Sequence, residues 1–264
     1  MEKRLAMAVI VAMLAMTGSA QAGGIATVYT QNFESGTLGA EWSGAGTLES
    51  PEGLGAFGFG NWHLMSKSTA PSILTLAGLP PHTSLTLSFS LAIWDSVDAW
   101  QGDRFQVKVD DAFVIDEVFG NYVISDLGQS VGPGVPLTPD FTAYMLPNYG
   151  YGDFRDSARA VSITIPHSAS TATLSFQYPA MQPWPDETFG LDNIVITVPC
   201  QLPADLSGDC FVDMKDFVLF ASGWLREDCV TPDWCGGADI DASGSVGMKD
   251  LAELATQWLT GVGI

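Results

Sequence analysis

The chain has 264 residues, with 30 Asp and Glu against 10 Lys and Arg, so its formal net charge is −20. This balance excludes nucleic acid as a main partner, because a surface that binds phosphates must be rich in Lys and Arg. The length allows two domains with at least one sizeable core, and the acidic surface favours solubility.

The first 22 residues have the pattern of a secretory signal peptide. A charged start at residues 1–4 precedes an apolar run over residues 5–16 and an Ala20-x-Ala22 cleavage motif. The apolar run is too short to span a bilayer, and no second run of spanning length follows. We therefore expect residues 1–22 to be removed. The remaining protein should be secreted, extracellular or at the cell surface, with no membrane span.

Several segments within residues 23–198 alternate apolar and polar side chains at period two, which is typical of half-buried β-strands. Turn residues separate these segments, for example at residues 78–82. The pattern predicts an antiparallel β-sandwich, and within that class we choose a jelly roll. Residues 128–157, rich in Gly, Pro, Tyr and Asp, predict a long loop. The apolar positions of the predicted strands are Leu85, Leu87, Phe89, Leu91, Ile93, Phe105, Val107, Val109, Val161, Ile163, Ile165, Leu174, Phe176, Tyr178, Ile194, Ile196 and Val198.

Two segments of this domain combine Trp with acidic residues. Exposed Trp rings stack on sugar faces while nearby carboxylates hydrogen-bond to hydroxyl groups, so one hypothesis is glycan binding. The alternative is that the Trp rings belong to the core, where Trp is more often found. The candidate glycan-binding residues are Trp94, Asp95, Trp100 and Trp184.

No sequence pattern identifies a catalytic site in this domain. A glycoside hydrolase needs two carboxylates about 5–9.5 Å apart, and no strand motif pairs the many acidic residues. Asp116 and Glu117 are adjacent, and we interpret them, like Asp110 and Asp111, as solvated turn residues. The histidines lack the spacing of a metal site, and two of them border Pro in predicted turns; they are His63, His82 and His167. We favour a non-catalytic module over a polysaccharide-degrading hydrolase.

The two ends of the domain carry short motifs. Residues 32–36 read Asn-Phe-Glu-Ser-Gly and precede Trp42, and residues 189–196 read Phe-Gly-Leu-Asp-Asn-Ile-Val-Ile. These edges resemble carbohydrate-binding-module jelly rolls, in which the first and last strands run side by side and often share a structural calcium. The resemblance implies Glu34 and Asp192 as its ligands. Asp192 shares the strand parity of the apolar Ile194, and an inward Asp must be paired or metal-bound. The alternative is that Asp192 caps a strand by hydrogen bonding.

All four cysteines lie in the last quarter of the chain, at Cys200, Cys210, Cys229 and Cys235. An even number in an exported segment predicts two disulfides. Three pairings are possible, and we favour Cys200–Cys210 with Cys229–Cys235 because each closes a short loop. Such bonds would support a small module that has little core of its own.

The same segment contains a twelve-residue acidic loop twice, at residues 205–216 and 239–250, with a constant offset of 34 residues. A helical stretch ending in Trp-Leu follows each loop, so the repeat indicates a duplicated supersecondary unit. Calcium prefers six to eight oxygen ligands, and such a loop supplies them from positions 1, 3, 5, 7, 9 and 12. The first loop then offers Asp205, Ser207, Asp209, the Phe211 carbonyl, Asp213 and Asp216. The second offers Asp239, Asp241, Ser243, the Ser245 carbonyl and Asp250. The alternative is an acidic, turn-rich tail that binds no metal.

Residues 199–264 resemble a type I dockerin, because both copies have Asp at positions 1 and 12 and an apolar residue at position 8. The resemblance implies an EF-hand-like α-helical module that folds on calcium and docks a cohesin-like protein module. The family's partner contacts at positions 10 and 11 fall on Met214, Lys215, Met248 and Lys249, which match between copies and would allow docking in two orientations. These residues depart from the Ser-Thr pair of cellulosomal dockerins. Cys210 also replaces the Gly of position 6, which predicts a first loop that is distorted or fixed by a disulfide.

The sequence as a whole predicts an exported, non-catalytic binding or scaffolding protein. Residues 23–198 would bind a polysaccharide or act at the cell surface, and residues 199–264 would dock a partner in the presence of calcium. One alternative is a glycoside hydrolase with a jelly-roll catalytic domain. The other is a structural surface protein in which the C-terminal unit stabilises the sandwich.

Overall fold

The computed structural model describes residues 24–50, 54–66, 68–95, 97, 103–118, 129–130, 143–146, 156–179 and 187–261. The predicted signal peptide therefore lies outside the described residues. The strands are β1 (Ile25–Gln31), β2 (Trp42–Gly44), β3 (Gly46–Glu49), β4 (His63–Ser66), β5 (Ser72–Ala77), β6 (Ser84–Asp95), β7 (Arg104–Val109), β8 (Ala112–Val118), β9 (Gln129–Ser130), β10 (Ala143–Leu146), β11 (Asp156–Pro166), β12 (Thr171–Gln177) and β13 (Glu187–Pro199). The helices are a 3₁₀ turn (Leu54–Phe57), α1 (Met214–Ser222) and α2 (Met248–Thr256).

The strands form two antiparallel sheets. Within the described residues, one sheet has seven strands in the order β10-β11-β6-β13-β4-β3, with β1 also paired to β13, and the other has six in the order β2-β5-β12-β7-β8-β9. The chain passes repeatedly from one sheet to the other, as in a jelly roll. The predicted mainly β fold, an antiparallel sandwich, is confirmed.

The core lies between the two sheets, and the alternation in the sequence places it correctly. Every predicted inward position of β6, β7, β11, β12 and β13 is at most 6% exposed. The rings of Phe89, Phe105, Phe176 and Phe189 contact one another across the interior at centroid distances of 4.9–6.0 Å. Burying one face of each strand is what fixes the register, because a slip by one residue would turn that face to solvent.

The last strand, β13, has a bulge where its edge partner changes. Residues 194–199 pair with β1, whereas Gly190 and Leu191 pair with β4. Between them the register shifts, and Asn193 has a left-handed φ of 51°. A bulge inserts one residue and thereby reverses the inward and outward positions that follow it. The expected side-by-side arrangement of the first and last strands is present.

The segment that the sequence predicts as a long loop, residues 128–157, lies mostly outside the described residues. Its described parts include strands: β9 pairs with β8, β10 pairs with β11, and β11 begins at Asp156. The prediction of an unbroken loop is wrong at these points. Short edge strands form there because they satisfy backbone groups of β8 and β11 that would otherwise lack partners.

The C-terminal residues have an apolar cluster of their own, distinct from the sandwich core. Its buried members are Ala204, Val212, Phe220, Cys229, Cys235, Ala238, Val246 and Leu254. Both helices begin at position 10 of one of the two acidic loops, at Met214 and Met248. Among the described residues, no helix is long and apolar enough to cross a membrane.

The two halves of this segment are joined by reciprocal backbone hydrogen bonds. Val212 of the first loop pairs with the chain after α2, where its N–H donates to the Thr260 carbonyl at 3.0 Å and its carbonyl accepts from Leu259 at 2.8 Å. Val246 of the second loop makes the equivalent pair of bonds, at 2.9 and 3.1 Å, with the chain after α1. Position 8 of each loop therefore pairs with the end of the other unit rather than with position 8 of the other loop.

Candidate metal centre

The first acidic loop is built around two aspartates that accept backbone hydrogen bonds. Asp205 accepts from the N–H groups of Gly208, Asp209 and Cys210 at 2.8–3.1 Å. Asp216 accepts from the N–H of Ser207 at 2.9 Å and from the N–H of Asp213 at 2.7 Å. Positions 1 and 12 thus bind the loop together before any ion is considered.

The second loop repeats these bonds at the equivalent positions. Asp239 accepts from Ser243 and Gly244 at 2.9 and 2.8 Å. Asp250 accepts from Asp241 at 3.0 Å and from Gly247 at 2.8 Å. Since loop positions 3, 5, 6 and 9 donate to the same acceptors in both copies, the repeat in sequence is a repeat in backbone geometry.

Each loop brings three carboxylates together. Ligand atoms of Asp205, Asp209 and Asp216 lie within 4.8 Å of one another, and so do those of Asp239, Asp241 and Asp250. Asp216, Asp239 and Asp250 are at most 3% exposed. A set of converging carboxylate oxygens is the donor chemistry that a hard divalent cation such as calcium requires. The residues present therefore fit the predicted ion.

The other predicted ligands have protein partners. The Asp213 carboxylate caps α1 by accepting from the N–H of Lys215 at 2.7 Å. The Ser207 hydroxyl donates to Asp205 at 3.3 Å, and the Ser243 hydroxyl donates to the Ser245 carbonyl at 3.3 Å. Phe211 forms a β-bridge to Gly261, opposite the end of the second unit, and its N–H donates to Asp209 at 3.2 Å.

Position 6 differs chemically between the loops but not in conformation. Cys210 has φ of 67° and Gly244 has φ of 97°, so both are left-handed. A residue with a Cβ rarely adopts this conformation, and here the Cys210 side chain is bonded to Cys200. The second bond joins Cys229 to Cys235, so the favoured disulfide pairing is confirmed. The first loop is fixed by a disulfide, one of the two outcomes that its sequence predicts.

A lysine forms an ion pair with a carboxylate of the first loop, and the described residues of the second loop show no such ion pair. The Lys215 ammonium donates to Asp209 at 2.7 Å. This hydrogen bond lowers the pKa of Asp209 and raises the pKa of Lys215. In the second loop, the pKa of Asp241 is lowered mainly by the Ser243 hydroxyl. The Lys215 ammonium therefore places a positive charge of the protein itself next to one carboxylate of the first loop.

The helices expose an apolar face beside the predicted docking residues. Met214 and Met248 are 59% and 70% exposed, and the Lys215 side chain is 62% exposed. An apolar groove adjoins these residues, and the sequence did not predict it, although the apolar residues of α2 that line it recur at i, i+3, i+4 and i+7. This groove, of about 410 Å³, is lined by Met214, Phe217, Leu251, Leu254, Ala255 and Trp258.

The sandwich residues Glu34 and Asp192 approach each other but bind backbone groups. Glu34 accepts from the N–H groups of Asn61 and Trp62 at 2.6 and 3.3 Å, and Asp192 accepts from Gly60 and Asn193 at 2.8 and 2.6 Å. Burial, together with the charge of Glu34, raises the pKa of Asp192 to about 6. The hydrogen-bonded cap that the sequence left as the alternative is therefore present, and a metal there stays a prediction.

The parity argument for Asp192 is wrong. Leu191 and Ile194 both belong to the core between the sheets, which is explained by the bulge at Asn193. Asp192 therefore lies on the outer face of its sheet, opposite to the face expected. The Gly60 N–H donates to its carboxylate there.

Trp94 does not present a ring for sugar stacking, so this part of the prediction is wrong. Its side chain is 0% exposed and packs against His63 and Phe59, with ring centroids at 4.7 and 6.1 Å. The 3₁₀ turn (Leu54–Phe57) covers this outer face of the sheet. Trp100, Trp184 and the Asp95 side chain lie outside the described residues.

The acidic residues of the sandwich are more buried than the sequence predicts. Asp116 is 5% exposed and accepts from Gln106 at 3.0 Å and from Arg104, and Glu117 is 0% exposed. The solvated-turn interpretation is therefore wrong for this pair, because β8 continues through it. It is confirmed for Asp110 and Asp111, which have left-handed φ values at the tip of the β7–β8 hairpin.

Comparison with known proteins gives a structural likeness at low similarity. No protein-family model matches the chain, and no curated protein matches it. The K3 cleaved adhesin domain of Lys-gingipain from Porphyromonas gingivalis is 16% identical with a TM-score of 0.35, over 65% of this chain and 99% of that chain. A family 35 carbohydrate-binding module from Clostridium thermocellum is 9% identical with a TM-score of 0.34, over 66% and 98%. The C-terminal CBM6 of a laminarinase from Zobellia galactanivorans is 14% identical with a TM-score of 0.31, over 64% and 98%. TM-scores this low support no conclusion about what the chain binds.

Proposed function

We propose that this chain is an exported, non-catalytic protein that is tethered to a partner by its C-terminal repeat. In this proposal residues 199–264 are a dockerin-like module that binds one calcium per loop and docks a cohesin-like module. Residues 23–198 are the sandwich that is carried to the partner. The observation that supports it best is the shared hydrogen-bond pattern of the two loops.

The charge of the two loops favours calcium binding. Three carboxylates converge in each loop, and like charges at such distances repel one another strongly when they are partly buried. Bound calcium would supply the positive charge that neutralises them. Asp216 and Asp250 would hold the ion from the first turn of each helix, so binding would stabilise the helices that carry the docking face.

The exposed apolar face of α1 and α2 favours docking. Met214 and Met248 occupy equivalent places at the start of α1 and α2 and are mostly exposed. Val218 and Leu219 on α1 are 62% and 44% exposed. Exposed apolar patches with polar surroundings are typical of interaction sites. Because the two units are joined by reciprocal hydrogen bonds, the module would present two similar faces.

A second candidate is a structural role, in which the C-terminal unit stabilises the sandwich. It is favoured by the junction between the two parts. The Cys200 N–H donates to the Gly24 carbonyl at 2.9 Å, and Cys210 packs with the sandwich core. A Cβ on Gly24 would collide with the Gly208 carbonyl oxygen. The hydrolase alternative lacks comparable support, because the described carboxylates Asp103, Glu117 and Glu187 are at most 2% exposed and closed to a polymer.

The first experiment is a calcium titration of the full chain, oxidised, by calorimetry. We expect two binding events, of which Asp205→Ala removes one and Asp239→Ala removes the other. Asp228→Ala is the matched control, since this exposed carboxylate pairs with Arg226 outside both loops. The absence of any calcium binding by the folded wild-type chain would contradict the proposal.

The second experiment measures binding to a panel of cohesin-like modules with and without calcium. Each single variant, Met214→Asp or Met248→Asp, should still bind through the other face, whereas the double variant should not. Val230→Asp is the control, because Val230 is 67% exposed but lies outside α1 and α2. Calcium binding without binding to any module would favour the structural role.

A further inference from the structure

Two histidines and an aspartate form a hydrogen-bonded chain at one end of the sandwich. His82 Nδ1 lies 2.6 Å from the Pro80 carbonyl oxygen, and His82 Nε2 lies 2.7 Å from His167 Nδ1. His167 Nε2 lies 3.0 Å from Asp110 Oδ2. The two ring planes are nearly parallel, at 15°, and the rings lie edge to edge with centroids 5.0 Å apart. His82 is 4% exposed and the His167 side chain 6%, so water has little access to these nitrogens.

Counting protons along this chain gives one more than two neutral imidazoles carry. The Pro80 carbonyl only accepts, so His82 Nδ1 must hold a proton, and the Asp110 carboxylate likewise requires a proton on His167 Nε2. In two neutral rings the remaining nitrogens would then face each other with lone pairs. A third proton between them completes all three hydrogen bonds, and Asp110 balances the resulting positive charge.

The distance between the facing nitrogens favours a proton over a metal ion. Zinc binds histidine nitrogens at about 2.0–2.1 Å, which separates two nitrogens in a tetrahedral site by roughly 3.3 Å. The observed 2.7 Å is instead an ordinary hydrogen-bond length. Asp110 is the charged group that the described residues place against the pair, and its neighbour Asp111 is exposed at the same hairpin tip.

The chain of hydrogen bonds ties together three turns that belong to both sheets. His82 lies between β5 and β6, His167 between β11 and β12, and Asp110 between β7 and β8. Asp110 also accepts from the N–H of Thr173 at 2.9 Å. Gln201, just beyond the last strand, donates to Thr83 at 3.2 Å. This end of the sandwich is therefore where the chain leaves for the C-terminal module.

We propose that His82 and His167 share one proton, that the Asp110 carboxylate balances its charge, and that this hydrogen-bonded chain, called the clasp below, holds the three turns together. The structural order of the turns then depends on pH. While the pair holds this one proton, all three hydrogen bonds form. As the pH rises the shared proton leaves, two lone pairs face each other and one bond must break; at more acidic pH a second proton enters and the two facing nitrogens both carry protons. The stability that the clasp contributes is therefore greatest where the pair holds one proton and is lost as pH rises and that proton leaves, independently of calcium or docking.

The test is nitrogen-15 NMR of the histidine rings in the full chain from pH 5 to pH 9 at constant saturating calcium. The chain has three histidines, and burial lowers the pKa of His63 to about 3, so His63 serves as an internal reference that stays neutral. We expect His82 and His167 to change together in one step that releases one proton in total.

Substitutions then separate the clasp from a merely structural contact. Asp110→Asn should move the joint step to lower pH by at least one unit, a tenfold change in proton affinity, whereas Asp111→Asn should leave it in place. The melting temperature of His167→Gln should lack the decline between pH 7 and 8.5 that we expect of the wild-type chain, with far-ultraviolet circular dichroism confirming the fold. Two separate one-proton steps, or a step that Asp110→Asn does not move, would overturn the proposal. So would stoichiometric zinc binding by the two rings at pH 8, since a metal ion would then take the place of the proton.

Discussion

The two acidic loops reach the same backbone geometry with different residues, and the differences show which positions carry the fold. Positions 1 and 12 are Asp in both loops and accept the same backbone N–H groups. Position 6 is Cys in one loop and Gly in the other, yet both are left-handed. Position 9 is Asp213 in the first loop, where it caps α1, and Gly247 in the second, where no side chain caps α2. Positions 1 and 12 therefore determine the backbone geometry of the loop, whereas the residues at positions 6 and 9 differ between the copies and have different local roles.

The largest expected effect comes from removing position 12. Asp216→Ala and Asp250→Ala each leave two backbone N–H groups without their buried acceptor. Hydrogen bonds to a charged group contribute about 1.5–3 kcal/mol each, so we expect each variant to lose about 3 kcal/mol or more of unfolding free energy. Urea denaturation followed by circular dichroism measures this loss.

Asp216→Ala and Asp250→Ala should differ in how much structure they lose. The disulfide at Cys210 holds the first loop by a second route, so Asp216→Ala should lose less structure than Asp250→Ala. The variants Asp216→Asn and Asp250→Asn, which keep one acceptor oxygen, should lose less than the Ala variants. Equal losses in Asp216→Ala and Asp250→Ala would show that the disulfide contributes nothing to holding the loop.

The disulfides themselves give the next largest effect. Cys200 and Cys210 are 10 residues apart, and Cys229 and Cys235 are 6 apart. Loop-closure entropy predicts about 2–3 kcal/mol of stabilisation for each, slightly more for the longer loop. The double variant Cys200→Ser with Cys210→Gly should lose that amount while keeping the left-handed conformation, since Gly adopts it readily. Cys229→Ser with Cys235→Ser is the comparison, and both are measured by denaturation without reductant.

A Cys210→Ala variant in the same background, which also carries Cys200→Ser, should be less stable than Cys210→Gly. The reverse order would show that conformation at position 6 is unimportant.

The regular features of both regions were predictable because local patterns determine them. The alternation of Leu85, Leu87 and Phe89 placed β6 and its inward face correctly, since a strand presents every second side chain to the same side. The fixed offset of the repeat placed both loops and both helices. Short sequence separation also favoured the disulfide pairing that the structure has.

The errors occurred where a distant segment or an inserted residue decides the outcome. The bulge at Asn193 reversed the parity on which the orientation of Asp192 was based. Trp94 is covered by the 3₁₀ turn (Leu54–Phe57), which is distant in sequence. The hydrogen bonds of His82 likewise depend on turns that are remote in the sequence.

The smallest expected effect concerns the lysine at position 11, where the loops differ in contacts although the residue is the same. Lys215 donates to the position 5 carboxylate, Asp209, and the equivalent position in the second loop is Ser243, which cannot form an ion pair. A cation bound next to Asp209 competes with calcium for that oxygen. Lys215→Met should therefore strengthen calcium binding to the first loop by about two- to five-fold, the range that exposed ion pairs give.

Lys249→Met is the matched control for this prediction and should change the affinity of the second loop less, because position 5 of that loop is Ser243 and offers Lys249 no carboxylate. Calorimetry in the Asp239→Ala background isolates the first loop, and calorimetry in the Asp205→Ala background isolates the second. The gain should shrink as salt rises, since exposed charges are screened. A weaker first loop in Lys215→Met would mean that the lysine organises Asp209 for the ion instead of competing with it. The difference between the two loops would then lie in their preorganisation rather than in their charge.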